Sequence, residues 1–300
     1  MENHMIKLLA LAIIIMLSAC KIDKSNIKEN DFSAEESFYL GEKPPGLIPE
    51  VFAPGMVTTN GWEYGGVFTP DLKEFYFIRE AIDDEGNSIQ QFVLIQNNNG
   101  EWQDSVISGR IGQPIISYDG KTMHLGRRYK ERTASGWSEM ELLDPPFNEL
   151  LIMRLSSSAN GTYYFDTYDP DNEAFPIRFS RFIDGKYEEP RALGDNINSG
   201  TFINHPFIAP DESYLIWDAK REGGYGDSDL YISFRNGDGS WGDAINLGDK
   251  INTEAWEAAA TITPDGKYLF FNRNMSSRDF ENVDIFWVST KVIENLRPQQ

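Results

Sequence analysis

Two acidic residues occupy matching positions of a repeated pattern in this chain, and each follows a tryptophan. Trp62-Glu63 stands eight and seven residues before Pro70, and Trp256-Glu257 stands eight and seven residues before Pro264. Two carboxyl groups held near each other can cleave a glycosidic bond, one as the acid and the other as the base or nucleophile. The pattern therefore raises sugar cleavage as one hypothesis for the function.

Other polar side chains share further positions of the same pattern. The position five residues before the turn holds, in three consecutive repeats, Gln113, Arg154 and His205. The position nine residues after the turn holds, in three repeats, Arg79, Arg127 and Arg273. If these positions share one mouth of a channel, they would form with the Trp-Glu pairs a ligand-binding site of aromatic and mixed-charge character. The alternative is structural, because polar residues of inner strands often bond only their neighbours and channel water.

Histidine, cysteine and known nucleophile motifs add little to this chemistry. Histidine occurs only at positions 4, 124 and 205, and Cys20 is the only cysteine. His124 lies in an apolar stretch, which predicts a packed core residue. The set is too small for a His/Cys metal site, and the loop residues Asp227, Asp229 and Asp238 lack the spacing of a calcium loop. No nucleophile elbow, P-loop or dinucleotide motif is present, so we expect no metal and no cofactor.

The pattern that carries these residues is a hairpin that recurs five times. Residues 261–271 are typical of two strands joined by a Pro-Asp-Gly turn, in which Pro presets φ, Asp bonds its own backbone and Gly accepts a positive φ. Equivalent turns begin at positions 70, 118, 159, 210 and 264, at intervals of 48, 41, 51 and 54 residues. This spacing predicts an all-β chain, a β-propeller of five four-stranded blades. Six blades would result if a degenerate repeat occupied residues 169–190.

The two ends of the repeat region complement each other. The fifth repeat leaves little chain for a fourth strand, whereas residues 48–54 precede the first hairpin without a hairpin of their own. We predict that residues 48–54 supply the missing outer strand, which closes the ring and removes exposed edges. Closure places the first and fifth blades side by side, and with them Glu63 and Glu257.

The hairpins and the segment Gly223–Tyr231 resemble the WD-repeat-like, Pro-Asp-Gly type repeats of TolB-like periplasmic propellers and of many bacterial lipoproteins. The resemblance covers about residues 48–290, although Tyr118 and Ala159 replace the turn proline in the second and third repeats. Membership of this family implies architecture and compartment more than activity. Five-bladed propellers also include glycosidases, which usually carry three acidic residues, and no position in this chain is assigned to the third.

The first residues are typical of an export signal. Lys7 precedes an apolar run over residues 8–17, which is too short to span a membrane. The following Leu-Ser-Ala-Cys resembles the lipobox of bacterial lipoproteins, which implies a signal peptide over residues 1–19 and a lipidated Cys20. Residues 20–37 are polar and predict a tether, followed by the propeller domain over residues 38–300. Lys21 replaces the aspartate that would retain the protein in the inner membrane, which favours the outer membrane.

The acidic balance of the chain bears on its partners. A formal charge of −20 should repel phosphate backbones, which argues against nucleic acid as a partner.

The lipobox and the propeller repeats together predict the function. We predict a monomeric envelope lipoprotein, anchored to the membrane through Cys20, whose propeller binds an envelope protein or a glycan as a scaffold module and is not an enzyme. The alternative is a glycan-active, glycosidase-like enzyme that uses Glu63 and Glu257 at the channel mouth.

Overall fold

Five antiparallel sheets stand in a ring in the computed structural model, which describes residues 38–168, 176–276 and 280–298. Each of these sheets has four strands in order from the centre outwards, and one sheet has a short additional strand paired with its third. The innermost strands of neighbouring sheets contact one another. This arrangement is a five-bladed β-propeller, so the fold predicted from the hairpin repeat is confirmed. All of the described residues belong to one compact unit.

The strand boundaries follow the repeat. Blade one contains β2 (Glu63–Phe68), β3 (Glu74–Ile82), β4 (Ser88–Asn98) and β5 (Glu101–Gly109). Blade two contains β6 (Ile115–Ile116), β7 (Thr122–Leu125), β8 (Arg128–Thr133), the short β9 (Gly136–Trp137) and β10 (Glu141–Leu142). Blade three contains β11 (Leu155–Ser157), β12 (Tyr163–Asp166), β13 (Ile177–Ser180), a separate hairpin of β14 (Phe182–Ile183) and β15 (Lys186–Tyr187), and β16 (Arg191–Ala192).

The last two blades are the most regular. Blade four contains β17 (Thr201–Ile208), β18 (Tyr214–Lys220), β19 (Asp229–Phe234) and β20 (Ile245–Asn246). Blade five contains β21 (Glu257–Ile262), β22 (Tyr268–Asn274), β23 (Val283–Ser289) and, from the other end of the chain, β1 (Glu50–Val51). In the described ranges, the helical structure consists of the 3-10 turns Tyr39–Gly41 and Phe147–Glu149 and the α-helix Lys291–Glu294. None of the helices in the described ranges is long and apolar enough to cross a membrane.

The Pro-Asp-Gly turns close their hairpins as their chemistry predicts. In blade five the Thr263 hydroxyl donates to Asp265 Oδ1 over 2.7 Å, and the Tyr268 N–H donates to Thr263 Oγ1 over 3.0 Å. Gly266 adopts a φ of 77° and donates its N–H to the Thr263 carbonyl over 2.8 Å. A residue with a Cβ is disfavoured at this φ, which is why the turn requires glycine.

Residues near the start of the propeller close the ring. Glu50 and Val51 pair with Trp287 and Phe286 of β23 in antiparallel register. The next residue, Phe52, is fully buried, and its ring centroid lies 4.7 Å from that of Phe270. The predicted outer strand of the last blade is thus confirmed, and blade one lies beside blade five.

A bulge in the innermost strand links the blades at the centre. It recurs in blades one, four and five, where the strand register slips and φ is positive, at 71°, 52° and 56°, for Gly65, His205 and Ala259. The N–H of each bulge residue donates over 3.0 Å to a side-chain oxygen of the preceding blade. The pairs are Gly65 with Asn272, His205 with Asp166, and Ala259 with Asp218. These bonds fix the strained backbone and set the angle of each inner strand.

The described ranges contain no sixth blade. Residues 177–187 of the region considered for it form β13 and the separate β14–β15 hairpin, while residues 169–175 lie outside the described ranges. The signal peptide, the lipidated Cys20 and the tether, all within residues 1–37, also lie outside them.

Candidate functional site

The channel mouth opposite the Pro-Asp-Gly turns carries a stack of aromatic rings. Tyr64 lies between the two predicted tryptophans, with ring centroids 5.3 Å from Trp62 and 6.1 Å from Trp256 and interplanar angles of 10° and 22°. Phe280 meets Trp256 edge-on at 5.3 Å. Both tryptophans are half-buried, so the stack offers apolar surface at the junction of blades one and five. We call these four rings the aromatic platform.

The carboxylate of Glu257 is tied to its surroundings. It is fully buried, and Arg273 on the paired strand donates its Nε to Glu257 Oε1 over 2.8 Å. Thr253 donates its hydroxyl and its backbone N–H to the two carboxylate oxygens over 2.6 Å and 3.0 Å. Burial raises the pKa of Glu257, and the bonds from Thr253 and Arg273 oppose that rise. This carboxylate is a structural group of the junction between blades four and five.

The acid that faces this junction from blade four is also fully bonded. Asp229 opens β19, directly after Ser228, which bridges to Trp256. Its carboxylate accepts the N–H groups of Tyr225 and Gly226 over 2.7 Å and 3.1 Å, and the Asn246 amide over 2.8 Å. The junction of blades four and five therefore leaves neither carboxylate in need of a partner.

The equivalent junction of blades five and one is different. Glu63 stands opposite Arg79 as Glu257 stands opposite Arg273, but the guanidinium of Arg79 bonds Asp104 instead, over 3.2 Å. Among the described residues, Thr59 is the hydrogen-bond partner of Glu63, and its hydroxyl donates to Glu63 Oε1 over 2.5 Å. Asp284 occupies the position of Asp229. Among the described residues, Glu63 Oε2 and Asp284 Oδ1 are buried without a hydrogen-bond partner.

Both acids of this junction have a raised pKa. Burial raises the pKa of Glu63, and bonds from Thr59 oppose the rise. Burial and the negative charge of Glu63 together raise the pKa of Asp284 to about 6. Asp284 is the more exposed of the pair, at 8% against 1% for Glu63. A carboxyl group whose pKa is raised to about 6 can carry a proton in mildly acidic solution, which general-acid chemistry requires.

The residues at the position five before the turn form a closed interior network. His205 Nδ1 lies 2.9 Å from Asp218, and its Nε2 lies 3.2 Å from both the Tyr64 hydroxyl and the Gln113 amide nitrogen. With the proton on Nδ1 directed to the carboxylate, Nε2 accepts both of these bonds. Arg154 is 1% exposed and donates to a backbone carbonyl of blade five, and burial lowers its pKa. Gln113, Arg154 and His205 therefore lie below the mouth and connect the blades.

The three arginines at the position nine after the turn have separate partners. Arg79 pairs with Asp104, and Arg273 pairs with Glu257. Arg127 donates to the Asn148 carbonyl over 3.2 Å and lines a cavity of about 300 Å³ between blades two and three. The predicted ring of arginines is thus divided between two inter-strand contacts and one cavity.

Three residues of the mouth, Tyr64, Phe280 and Asp284, were not among the predicted site residues. Tyr64 lies two residues after Trp62, and strand alternation, which places both rings on one face, could have found it. Asp284 shares its repeat position with Asp229, a comparison that could have found it. His124 is 2% exposed, and the core position predicted for it is confirmed. Within the described ranges, no group of three or more His, Cys, Asp or Glu is placed to hold a metal ion.

Comparison with known proteins shows the fold. No protein-family model and no curated protein matches the chain. Among solved structures, the catalytic domain of a GH62 α-L-arabinofuranosidase from Coprinopsis cinerea matches with a TM-score of 0.51 and 8% identity, over 82% of this chain and 98% of that one. An α-L-arabinofuranosidase from Podospora anserina, in complex with cellotriose, matches with a TM-score of 0.46 and 8% identity, over 82% and 94%. A thermostable family-43 glycoside hydrolase matches with a TM-score of 0.45 and 13% identity, over 82% and 91%.

The match at a TM-score of 0.51 corrects the expectation that the propeller is not an enzyme. The structure at a TM-score of 0.51 is the catalytic domain of a glycoside hydrolase, and the match covers nearly all of it. At 8% identity the likeness shows the fold alone, so any activity of this chain has to be argued from its own residues. No family model supports the WD-repeat or TolB-like resemblance.

Proposed function

We propose that this chain is a glycan-active hydrolase whose general acid is Asp284. The observation that carries the proposal is the difference between two equivalent junctions. Where Glu257 and Asp229 are fully bonded, Glu63 and Asp284 retain buried oxygens without partners among the described residues. A purely structural junction would be expected to resemble the first, because an unpartnered buried carboxylate oxygen destabilises the fold.

The two carboxyl groups divide the acid chemistry between them. Asp284, the more exposed, donates its proton to the glycosidic oxygen as the bond to the anomeric carbon breaks. Glu63 lies behind it, and the negative charge of Glu63 helps to raise the pKa of Asp284 and so to keep the proton there. Water adds to the anomeric carbon and returns a proton to Asp284, which balances the hydrolysis. In this assignment Glu63 is a positioning residue and Glu257 a structural one.

The aromatic platform supports a sugar as the ligand. Its rings present apolar faces beside the acid pair, and such faces match the C–H faces of pyranose and furanose rings. The protein with the TM-score of 0.51 is named as an arabinofuranosidase, which agrees with a glycan as the substrate class here. Phe202 at 58% exposure and Met153 at 39% extend the apolar surface on neighbouring blades.

The direct test is glycan cleavage. Soluble residues 21–300 would be incubated with a panel of plant and bacterial polysaccharides and peptidoglycan fragments, and new reducing ends and retention would be scored together. We expect new reducing ends with at least one polysaccharide. Retention without cleavage on the whole panel would instead indicate a lectin-like module and contradict the proposal.

The pH dependence of cleavage should report the proton on Asp284. Because the raised pKa of about 6 keeps Asp284 protonated only below that pH, we expect kcat/KM to fall about tenfold per pH unit above it. Glu63→Gln removes the charge that helps to hold the proton, so the alkaline limb should move to lower pH. A limb that stays in place in this variant would exclude the role given to Glu63.

We also propose that Cys20 carries a lipid that holds the propeller, through the residue 20–37 tether, as a monomer at the outer membrane. The lipobox-like Leu-Ser-Ala-Cys sequence supports this proposal, as does the similarity of its repeats to those of TolB-like envelope propellers. In cells fed labelled palmitate, we expect label and membrane association in the native chain and neither in Cys20→Ser. Equal membrane association of both chains would refute it.

A further inference from the structure

A second polar feature opens at the same mouth, between blades two and three. It is a cavity of about 300 Å³ lined by three arginines, Arg110, Arg127 and Arg128, together with Gln113 and apolar side chains such as Leu125. No aspartate or glutamate lines it. In a chain with a formal charge of −20, a cavity that gathers three guanidinium groups without a carboxylate is unusual.

These arginines differ from most other arginines of the propeller. Most of the other described guanidinium groups meet carboxylates, as in Arg132 with Glu74 at 2.7 Å and Arg273 with Glu257 at 2.8 Å, whereas Arg154, Arg178 and Arg221 donate to uncharged oxygens. Within the described part of the chain, none of the three cavity arginines forms an ion pair with Asp or Glu. Arg110 donates to the Gln90 amide oxygen over 2.8 Å, and Arg127 donates to a backbone carbonyl. These hydrogen bonds hold the side chains of Arg110 and Arg127 in place, and neither guanidinium charge is paired with a carboxylate of the described residues.

A buried acceptor in the same cavity points to a ligand that also carries hydroxyl groups. Gln113 is 4% exposed, and its amide nitrogen is occupied by His205. Its Oε1 is buried without a hydrogen-bond partner among the described residues. An anion alone cannot satisfy Gln113 Oε1, because this oxygen is an acceptor and needs a hydrogen-bond donor such as a sugar hydroxyl.

One arginine of the cavity contacts the aromatic platform. The guanidinium carbon of Arg110 lies 5.8 Å from the centroid of the Trp62 ring, which begins the aromatic platform. Glu63 follows Trp62 directly in sequence. A sugar chain that lies across the platform with its cleaved bond at Asp284 would therefore extend its next residues towards the arginines.

We propose that this cavity is a subsite for the carboxylate of an acidic sugar, so that the substrate class is a uronic-acid-containing polysaccharide. This inference rests on the proposed function in so far as it calls the acidic polysaccharide a substrate. Binding of the acidic sugar does not itself require cleavage. Guanidinium groups bind carboxylates through paired N–H donors. The remaining acidic surface opposes a polyanion only weakly at this point, since charges beyond about 10 Å are screened at 0.1 M salt.

The test measures binding by calorimetry, with trigalacturonic acid, a sulfated disaccharide and cellotriose as probes. The Arg110→Gln/Arg128→Gln double variant should bind trigalacturonic acid about tenfold or more weakly, with cellotriose binding unchanged. Native binding of trigalacturonic acid should also weaken as salt rises. Arg181→Gln, which removes an arginine paired with Glu188 on the surface of blade three, is the matched control and should bind as the native chain does.

The outcomes separate this inference from the proposed function. Arginine-dependent uronate binding without cleavage of any glycan would support the subsite and reject the hydrolase. Cleavage of neutral glycans, together with trigalacturonic acid binding no more tightly than cellotriose, would support the hydrolase and reject the subsite. Binding of the sulfated disaccharide alone would overturn the assignment to a carboxylate.

Discussion

Asp284→Asn should reduce kcat/KM for the cleaved glycan by about 10²- to 10⁴-fold, the contribution usual for a general acid. An amide has the shape of the carboxyl group but no proton to give to the leaving oxygen. Substrate binding should be nearly unchanged, because the aromatic platform and not Asp284 provides the apolar surface. Initial rates of reducing-end formation and the dissociation constant of the glycan, both measured at pH 5, check these two expectations.

The repeat provides a matched control for this variant. Asp229 occupies the same position on the third strand of blade four, and its carboxylate is bonded by Tyr225, Gly226 and Asn246. We expect the Asp229→Asn variant to cleave glycans at the native rate under conditions in which it is folded. Circular dichroism checks that it is folded. If the two variants lost activity to the same extent, the loss would reflect the packing of the blade junctions and Asp284 would not be the acid.

Glu257→Gln and Glu63→Gln, which alter equivalent residues, should change stability in opposite directions. Removing the Glu257 charge leaves Arg273 buried opposite a neutral group, and breaking a buried ion pair in this way costs about 3–5 kcal/mol. Removing the Glu63 charge takes away a buried carboxylate that forms no ion pair with Arg79, so stability should be unchanged or rise by about 1 kcal/mol. Urea unfolding of both variants and the native chain at pH 8 measures the difference.

The effect of pH gives the second test of the same contrast. The pKa of Asp284 in the folded chain lies above its ordinary value of 3.8, so the folded state holds a proton that the unfolded state releases between about pH 4 and pH 6. Stability from this group is therefore lost as pH rises through that window. Asp284→Asn should gain more stability relative to the native chain at pH 8 than at pH 4. An equal effect at both values would show that Asp284 titrates normally.

The fold was predictable because its information is local. A Pro-Asp-Gly turn closes through bonds among residues 263–268, and apolar strands on either side need only a partner of the same kind. Five such hairpins at similar spacing leave few architectures other than a propeller. Ring closure was also predictable, because one end of the repeat region lacked a strand that residues 48–54 could supply.

The sequence by itself determined a propeller with five hairpins, the closure that brings blades one and five together, and the shared positions of Glu63 and Glu257, while it left a sixth blade over residues 169–190 open. Only the tertiary structure decided which acid is available for chemistry. Arg79 meets Asp104, 25 residues away in the chain, whereas its counterpart Arg273 meets Glu257. The Glu-Arg pairs of blades one and five occupy the same repeat positions, yet their arginines bond different partners. A long side chain can bond any suitable group within its reach, and these groups differ between the two blades. Repeat position specifies where a backbone lies, and the neighbouring blades determine what its side chain can do.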